Sequence, residues 1–235
     1  MRDVVHDPMF AGRAMTVSLL TLVFGPPEDD IFRQGDRDRR TIRAAVDGAH
    51  EEPSVADDDA ELALVERLRA SDGVALDTII DRYYRRLVGY AESIVRDVGH
   101  AEDVVQDVLF LMWERRAGLV IHTSLAAYLF TLVRNAALNA RRGTVTRTRW
   151  MQQYAAESPP PATSADFAIE RDERVRVLQA ALEALAPRYR EVLVLRAHGL
   201  TYDAISSVLG IPLKTAKTRG LRGIAMLRAA LMGKL

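Results

Sequence analysis

Residues 77–116 read DTIIDRYYRRLVGYAESIVRDVGHAEDVVQDVLFLMWERR, and their apolar positions decide the fold. Leu76, Ile79, Ile80, Tyr83, Leu87, Tyr90, Ala91, Ile94 and Val95 recur at intervals of three and four, the spacing that lines one face of an α-helix. The pattern breaks at 97–100 and resumes over 101–113 with Val104, Val105, Val108, Leu111 and Met112, which predicts a second helix directly after the first. Upstream, Leu62, Val65 and Leu68 mark a helix that ends at Ser71-Asp72-Gly73. Downstream, residues 118–122 interrupt, and Thr123 is placed to cap a further helix reaching roughly to Arg142. Four helices with short joints make a compact bundle.

The chain then changes character. Pro159-Pro160-Pro161 sits among Ser, Thr and Ala in a stretch without period, which reads as a linker. Beyond it Val175, Leu178, Leu182 and Leu185 form a stripe that stops at Pro187, and residues 190–197 form a further apolar helix. His198-Gly199-Leu200 is a turn with glycine at a helix C-terminus and His198 as a helix-end residue. Thr201 caps a short helix to Leu209, and Gly210-Ile211-Pro212 turns into a last long helix ending near Leu231. A short helix, a glycine turn and a longer basic helix are the pattern of a helix-turn-helix. The expectation is an all-α chain of two small helical domains, 58–143 and 171–235, joined by a flexible linker over 144–170. An acidic, disordered extension over 1–57 precedes them.

Composition narrows the function. The chain has no cysteine, which removes disulfides, thiolate metal sites and cysteine nucleophiles, and a reducing cytoplasm fits. The longest apolar stretch, residues 14–24, contains Thr16, Ser18 and Thr21 and is shorter than the roughly 20 residues a bilayer requires. Arg2 and Arg13 lend it a faint leader character, but Gly25-Pro26-Pro27 is a poor cleavage context, so no membrane span and no secretion are expected. The formal net charge of zero hides segregation. Residues 28–72 hold 14 acids against 7 arginines, residues 115–156 hold seven arginines and no acid, and the last 46 residues hold eight Lys or Arg against Glu191 and Asp203. Two separate basic zones suit a polyanion touched at two places, with two solvated helix faces as the plainer reading.

Placing the fourth helix at about 100° per residue aligns Tyr128, Thr131, Asn135, Asn139 and Arg142 on one stripe. Leu129, Leu132, Val133, Ala136 and Ala140 lie on the neighbouring, packing face. A ring stacks bases, amides hydrogen-bond base edges and arginine binds phosphate, so this stripe suits unpaired nucleotides. In the last helix Leu213, Ala216, Gly220, Ile224 and Leu227 face inward, leaving Lys214, Lys217, Thr218, Leu221 and Arg222 outward for a major groove.

Residues 77–116 followed by SLAAYLFTLVRNAALNARR resemble region 2 of RNA polymerase sigma factors of the extracytoplasmic-function (ECF) group, sigma-70 family. ALEALAPRYREVLVLRAHGLTYDAISSVLGIPLKTAKTRGLRGIAMLR resembles their region 4. The two blocks stand in order with a linker between them, and the strongest element is AEDVVQD at 101–107 together with Arg134-Asn135. The resemblance implies a promoter-specificity subunit that binds core RNA polymerase, recognises the −35 and −10 promoter elements and helps melt DNA. Asp103, Gln106 and Asp107 would dock on the clamp helices of the polymerase largest subunit, while Val104, Val108 and Leu111 hold the bundle. Tyr128, Thr131, Asn135, Asn139 and Arg142 would contact the −10 strand, with the joint at 119–124 and Asn135 forming a pocket for a flipped base. Lys214, Lys217, Thr218, Arg219, Leu221 and Arg222 would face −35 duplex, although Arg219 points partly inward. An anti-sigma factor is a further implied partner.

The chain departs from the family pattern with Tyr128 in place of the usual Trp and Asn139 in place of a frequent Asp, which puts details of strand contact in doubt. Ala204 stands where a reciprocal cap would place Glu, and Gly220 and Gly223 interrupt the recognition helix at about 1 kcal/mol each relative to Ala, so that helix is expected to order fully on DNA or a partner. The five histidines show no ligand spacing and no phosphate loop or nucleophile motif occurs, so no enzyme, metal or cofactor is expected. The alternative is a helix-turn-helix regulator acting without the polymerase core.

Overall fold

The computed structural model describes Leu19, residues 55–154 and residues 173–232, with side chains over 60–143 and 176–232. Every regular element among the described residues is helical. The order is α1 (Val55–Arg69), α2 (Gly73–Val95), α3 (Val98–Glu114), a 3-10 turn (Arg116–Gly118), α4 (Leu125–Tyr154), α5 (Glu173–Ala184), α6 (Pro187–Ala197), α7 (Tyr202–Leu209) and α8 (Leu213–Leu231).

Local chemistry sets the boundaries. Asp72 caps α2 by accepting from the Val74 amide, and Asp97 caps α3 by accepting from the His100 amide at 2.7 Å. Arg96 ends α2 in the left-handed region at φ 67°. The cap of α4 lies one residue later than expected: the Ser124 hydroxyl, not that of Thr123, accepts from the Ala127 amide at 3.2 Å. Thr201 caps α7 as its position implied, accepting from the Ala204 amide at 3.1 Å, and Gly210 closes that helix at φ 62°.

In the first half α2 packs on α3 and α4, and α1 lies across α2. Tyr83, Tyr90, Leu87, Ile79, Leu129 and Phe130 are fully buried between them. In the second half α8 packs on α6 and α7, around Val192, Leu193, Ile205, Ala216 and Leu227. The two domains also pack on each other: α4 packs along α7, α2 touches α6, and a single apolar cluster runs through both. Helix α4 also continues to Tyr154, past the expected limit at Arg142, so the first residues assigned to the linker are helical. The proline run at 159–161 and nearly all of the extension over 1–57 lie outside the described residues. The exceptions are residues 55–57, which open α1, and Leu19, which is helical and buried in the main cluster.

The glycines of α8 have a packing reason. A Cβ at Gly220 would meet Tyr202, running into its hydroxyl and lying 2.6 Å and 2.9 Å from ring carbons. A Cβ at Gly223 would sit 3.1 Å from Leu193. The two positions let α8 approach α6 and α7 closely, so the helix is ordered by packing within the chain without DNA. Gly220→Ala gains about 1 kcal/mol of helix propensity but overpacks by about 1–3 kcal/mol. The variant is expected to have a lower urea midpoint than the parent, whereas an Ala substitution at open Gly73, which has nothing within 4 Å, is not limited by space.

Candidate nucleic-acid and polymerase interfaces

On α3, Val104, Val105 and Val108 are buried against the bundle while Asp103, Gln106 and Asp107 stand in solvent. The two carboxylates are one turn apart and present a small acidic face. Leu111 does not hold the bundle: it is 46% exposed, and its neighbour Phe110 is 66% exposed. The face continues into an apolar groove of about 260 Å³ between α2 and α3, lined by Leu76, Ile80, Tyr84, Leu109, Phe110 and Trp113, with Gln106 at its edge. Phe110 and Trp113 were not singled out from sequence, although the exposed side of an otherwise regular α3 stripe was a signal for them.

On α4 the expected stripe is on the surface. Asn135, Asn139 and Arg142 are exposed, and Tyr128 and Thr131 are half-buried. Burial raises the Tyr128 phenol, partly offset by the nearby Arg115 guanidinium, so it is a neutral ring at pH 7. The Thr131 hydroxyl donates to the Ala127 carbonyl at 2.7 Å, which leaves it an acceptor toward any ligand. The helical rise alone puts Asn135 about 15 Å from the start of α4, so the 119–124 joint and Asn135 lie at two ends of a track with Tyr128 between them.

That joint is held from α1. The Arg69 guanidinium donates twice to the Leu119 carbonyl, at 2.9 and 2.5 Å, and the Glu61 carboxylate accepts from the Leu125 amide at 3.2 Å and from the Tyr83 hydroxyl. Burial, reinforced by that carboxylate, raises the Tyr83 phenol well above its ordinary range. Nothing in the spacing of α1 announced these contacts, because they join residues about fifty and sixty positions apart.

The basic zones are sorted by the fold. Arg116 stacks on Trp113 at 4.2 Å and donates to Ser71, and Arg134 is paired with Glu191. Arg196 is buried, donating to the Leu200 carbonyl at 2.8 Å, and so braces the turn before α7. Arg115, Arg141 and Arg142 face solvent, as do Lys214, Lys217 and Arg222.

On α8, Lys214, Lys217, Thr218, Leu221 and Arg222 are exposed as expected, while Arg219 is half-buried. Leu213 departs from the reading: it is 39% exposed and does not join the inward stripe of Ala216, Gly220, Ile224 and Leu227. Tertiary packing adds residues that no periodicity in α8 could supply. A concavity of about 350 Å³ is lined by Lys214, Thr215, Thr218, Arg219 and Arg222 of α8 and by Arg188 and Tyr189 at the start of α6. The Arg188 guanidinium lies over the Tyr189 ring at 4.9 Å. No carboxylate lines this surface, which makes it a fixed positive field suited to phosphate.

Comparison with known proteins follows the same division. The family model described as Sigma-70 region 2 matches residues 79–146, and that described as Sigma-70, region 4 matches residues 176–227. An ECF RNA polymerase sigma factor SigK of Mycolicibacterium vanbaalenii is 32% identical over 173 residues, covering 72% of this chain and 88% of its own length. The chain belongs to the ECF group of sigma-70 RNA polymerase sigma factors. A second relative, RNA polymerase sigma factor CarQ of Myxococcus xanthus, is 29% identical over 174 residues, covering 73% of this chain and 97% of that protein. Among solved structures, CnrH in complex with the cytosolic domain of CnrY superposes with a TM-score of 0.53 at 22% identity, covering 75% of this chain and 99% of that one, a likeness of fold.

This sigma factor is therefore a polymerase-associated promoter-specificity subunit built from regions 2 and 4. Region 2 as matched begins inside α2, so Glu61 and Arg69 of α1, which hold the joint before α4, lie outside the matched block. Removing a charged hydrogen bond from a partly buried carbonyl costs about 1.5–3 kcal/mol locally, so Arg69→Ala is expected to speed amide exchange over 120–125 by at least about tenfold. Hydrogen–deuterium exchange read by mass spectrometry checks this, with amides of α8 unchanged.

Proposed function

We propose that the sigma factor divides its work among three surfaces: the acidic face and apolar groove of α3 dock on the clamp helices of the polymerase largest subunit, the α4 stripe holds unpaired non-template −10 nucleotides, and α8 reads −35 duplex. Residues 58–143 and 171–235 then act as the region 2 and region 4 domains. The observation that carries this reading is the segregation of side chains on one helical body. Asp103 and Asp107 project from α3, amides and a ring project from α4, and a carboxylate-free cluster of cations and hydroxyls surrounds α8. Carboxylates repel DNA phosphate and attract polymerase arginines, while a cation cluster does the reverse.

Within the −35 surface, Lys217 and Arg222 are the candidates for base and phosphate contact, Leu221 for a thymine methyl, and Lys214, Thr218 and Arg219 for the flanking backbone. Arg188, held by Tyr189, joins them as a phosphate contact from α6. Within the −10 surface Tyr128 stacks, Asn135 and Asn139 hydrogen-bond base edges, and Arg142 follows the backbone, while Thr131 accepts a hydrogen bond. The groove beside Phe110 also suits an apolar helix of an anti-sigma protein. The protein acts as an initiation factor without catalysis of its own, works in the cytoplasm beside the polymerase, and uses no metal or cofactor.

Run-off transcription with purified core polymerase and genomic promoter fragments tests the reading directly: promoter-dependent transcript is expected, and its absence with bound core enzyme would overturn it. Lys217→Ala and Arg222→Ala are each expected to weaken closed-complex formation by about 1–3 kcal/mol, whereas Asn135→Ala lowers the yield of open complex at unchanged initial binding. Arg188→Ala is expected to weaken all promoters alike and to reduce the slope of log K against log salt by about one. Equal effects of these variants on closed and open complexes would remove the assignment.

A further inference from the structure

Helix α1 precedes the block matched as region 2, yet its residues fix the joint before α4 at both ends. At the entry the Arg69 guanidinium donates through Nε and Nη2 to the Leu119 carbonyl, at 2.9 and 2.5 Å, while its Nη1 donates to Glu66 at 2.7 Å. At the exit one oxygen of the Glu61 carboxylate accepts from the Leu125 amide at 3.2 Å. The other oxygen accepts from the hydroxyl of buried Tyr83, with Arg82 at 3.9 Å, so this tie is itself anchored in the core. Just ahead of the entry, Arg116 Nε donates to the hydroxyl of Ser71, beyond the end of α1, at 2.9 Å.

Glu61 and Arg69 stand eight residues apart on α1, a helical rise of about 12 Å. The chain from Leu119 to Leu125 could reach about 20 Å if extended, so the joint is held with slack, as an arch on two feet. The feet are buried: Leu119 is 5% and Leu125 2% exposed. The crown is open, with Val120 60% exposed and His122 and Thr123 in solvent. Among the described residues no hydrogen bond engages the backbone of 120–123. Arg69 is not a spare cation for phosphate, because three of its nitrogens are engaged within the chain.

We propose that Arg69 and Glu61 are positioning residues for −10 recognition: they hold the two feet of the 119–124 arch at a fixed spacing and so keep its crown in the shape that receives one unstacked base. The inference rests on the −10 reading above and adds to it two residues of a helix which that reading leaves aside. Unstacking a base costs energy whatever receives it. A loop whose ends are fixed in advance loses little freedom when a ligand orders it, so the ties lower the cost of capture. The guanidinium fork sets direction as well as distance: two nitrogens on one carbonyl oxygen fix the peptide at 119, which a single ammonium does not.

The test pairs variants of the chain with lesions in DNA. Holoenzyme reconstituted with core polymerase binds a labelled single-stranded non-template oligonucleotide carrying the −10 element of a promoter it transcribes, and affinity is read by fluorescence anisotropy. An abasic site is moved through the element one position at a time. For the parent, one position is expected to carry a penalty of about tenfold or more, which marks the captured base. In Arg69→Ala that penalty is expected to shrink to about threefold or less, with the penalties at other positions unchanged. Arg69→Lys, which keeps one donor, restores part of it. Glu61→Ala is expected to act as Arg69→Ala does, and Glu61→Gln, which keeps an acceptor for the Leu125 amide, to stay near the parent. Should Arg69→Ala fold poorly by circular dichroism, Arg69→Met, which keeps the apolar stem without a donor, takes its place. Arg67→Ala removes another arginine of α1, one that pairs with Asp72 at 2.8 Å, and is expected to leave every ratio at the parent value.

A uniform loss of affinity with the ratios unchanged, a captured-base penalty undiminished in Arg69→Ala, or the same change in Arg67→Ala overturns the positioning role and leaves the −10 reading standing. A parent in which no position stands out is a different result, and it sinks the −10 reading together with the positioning role.

Discussion

Arg86 carries a half-buried positive charge held by a backbone carbonyl, that of His198, and by the faces of Tyr83 and Phe130. Such a charge is costly to bury, and burial lowers its pKa, yet a guanidinium keeps its proton. The arrangement persists because the rings of the α2–α4 core are fixed in place and the α6–α7 turn brings a carbonyl to meet it. Much of the tertiary structure follows from this constraint. The turn needs glycine at 199, His198 is drawn into the ring cluster as a neutral imidazole, and the helix-turn-helix is seated on α4 rather than free.

Seating the second half this way sorts several of the described arginines between structure and surface. Arg86, Arg116, Arg134 and Arg196 have partners inside the protein. Arg115, Arg141, Arg142, Arg188 and Arg222 remain on the outside. The same packing turns the amides of α4 outward, because its apolar face is occupied by α2 and α7. Charge segregation along the sequence thus becomes segregation in space, with the acidic face of α3 distinct from the cation-lined concavity at α6 and α8.

Much of this was legible from single-helix chemistry. Periodicity placed Tyr83, Tyr90 and Leu87 in the core, Asp97 at a break, Thr201 at a cap and Asn135 and Asn139 on the surface, because each depends on neighbours within four residues. Misreadings arose where a distant partner decides. Leu111 and Leu213 satisfy the apolar period of their helices, but among the described residues no element covers them, and they are exposed. Gly220 reads as a weak point until Tyr202 is seen against it. The cap at Ser124 rather than Thr123 depends on how Glu61 and Arg69 draw in the joint. His198 was rightly placed at a helix end, but the bond its carbonyl accepts from Arg86, 112 residues away, is set by tertiary packing. Arg188 joins the α8 concavity only through the packing of α6.

Two surfaces, one for opened strand and one for duplex, are the core of the functional reading, and their separation in time is the sharpest test. A photo-crosslinking amino acid at position 139 and another at position 221, in holoenzyme bound to a promoter, would be followed from closed to open complex. Position 221 is expected to crosslink to −35 duplex in both states, and position 139 to the non-template −10 strand only after opening. Crosslinks from position 139 to fully paired DNA in the closed state at equal yield, or from position 221 to melted strand, would contradict the reading.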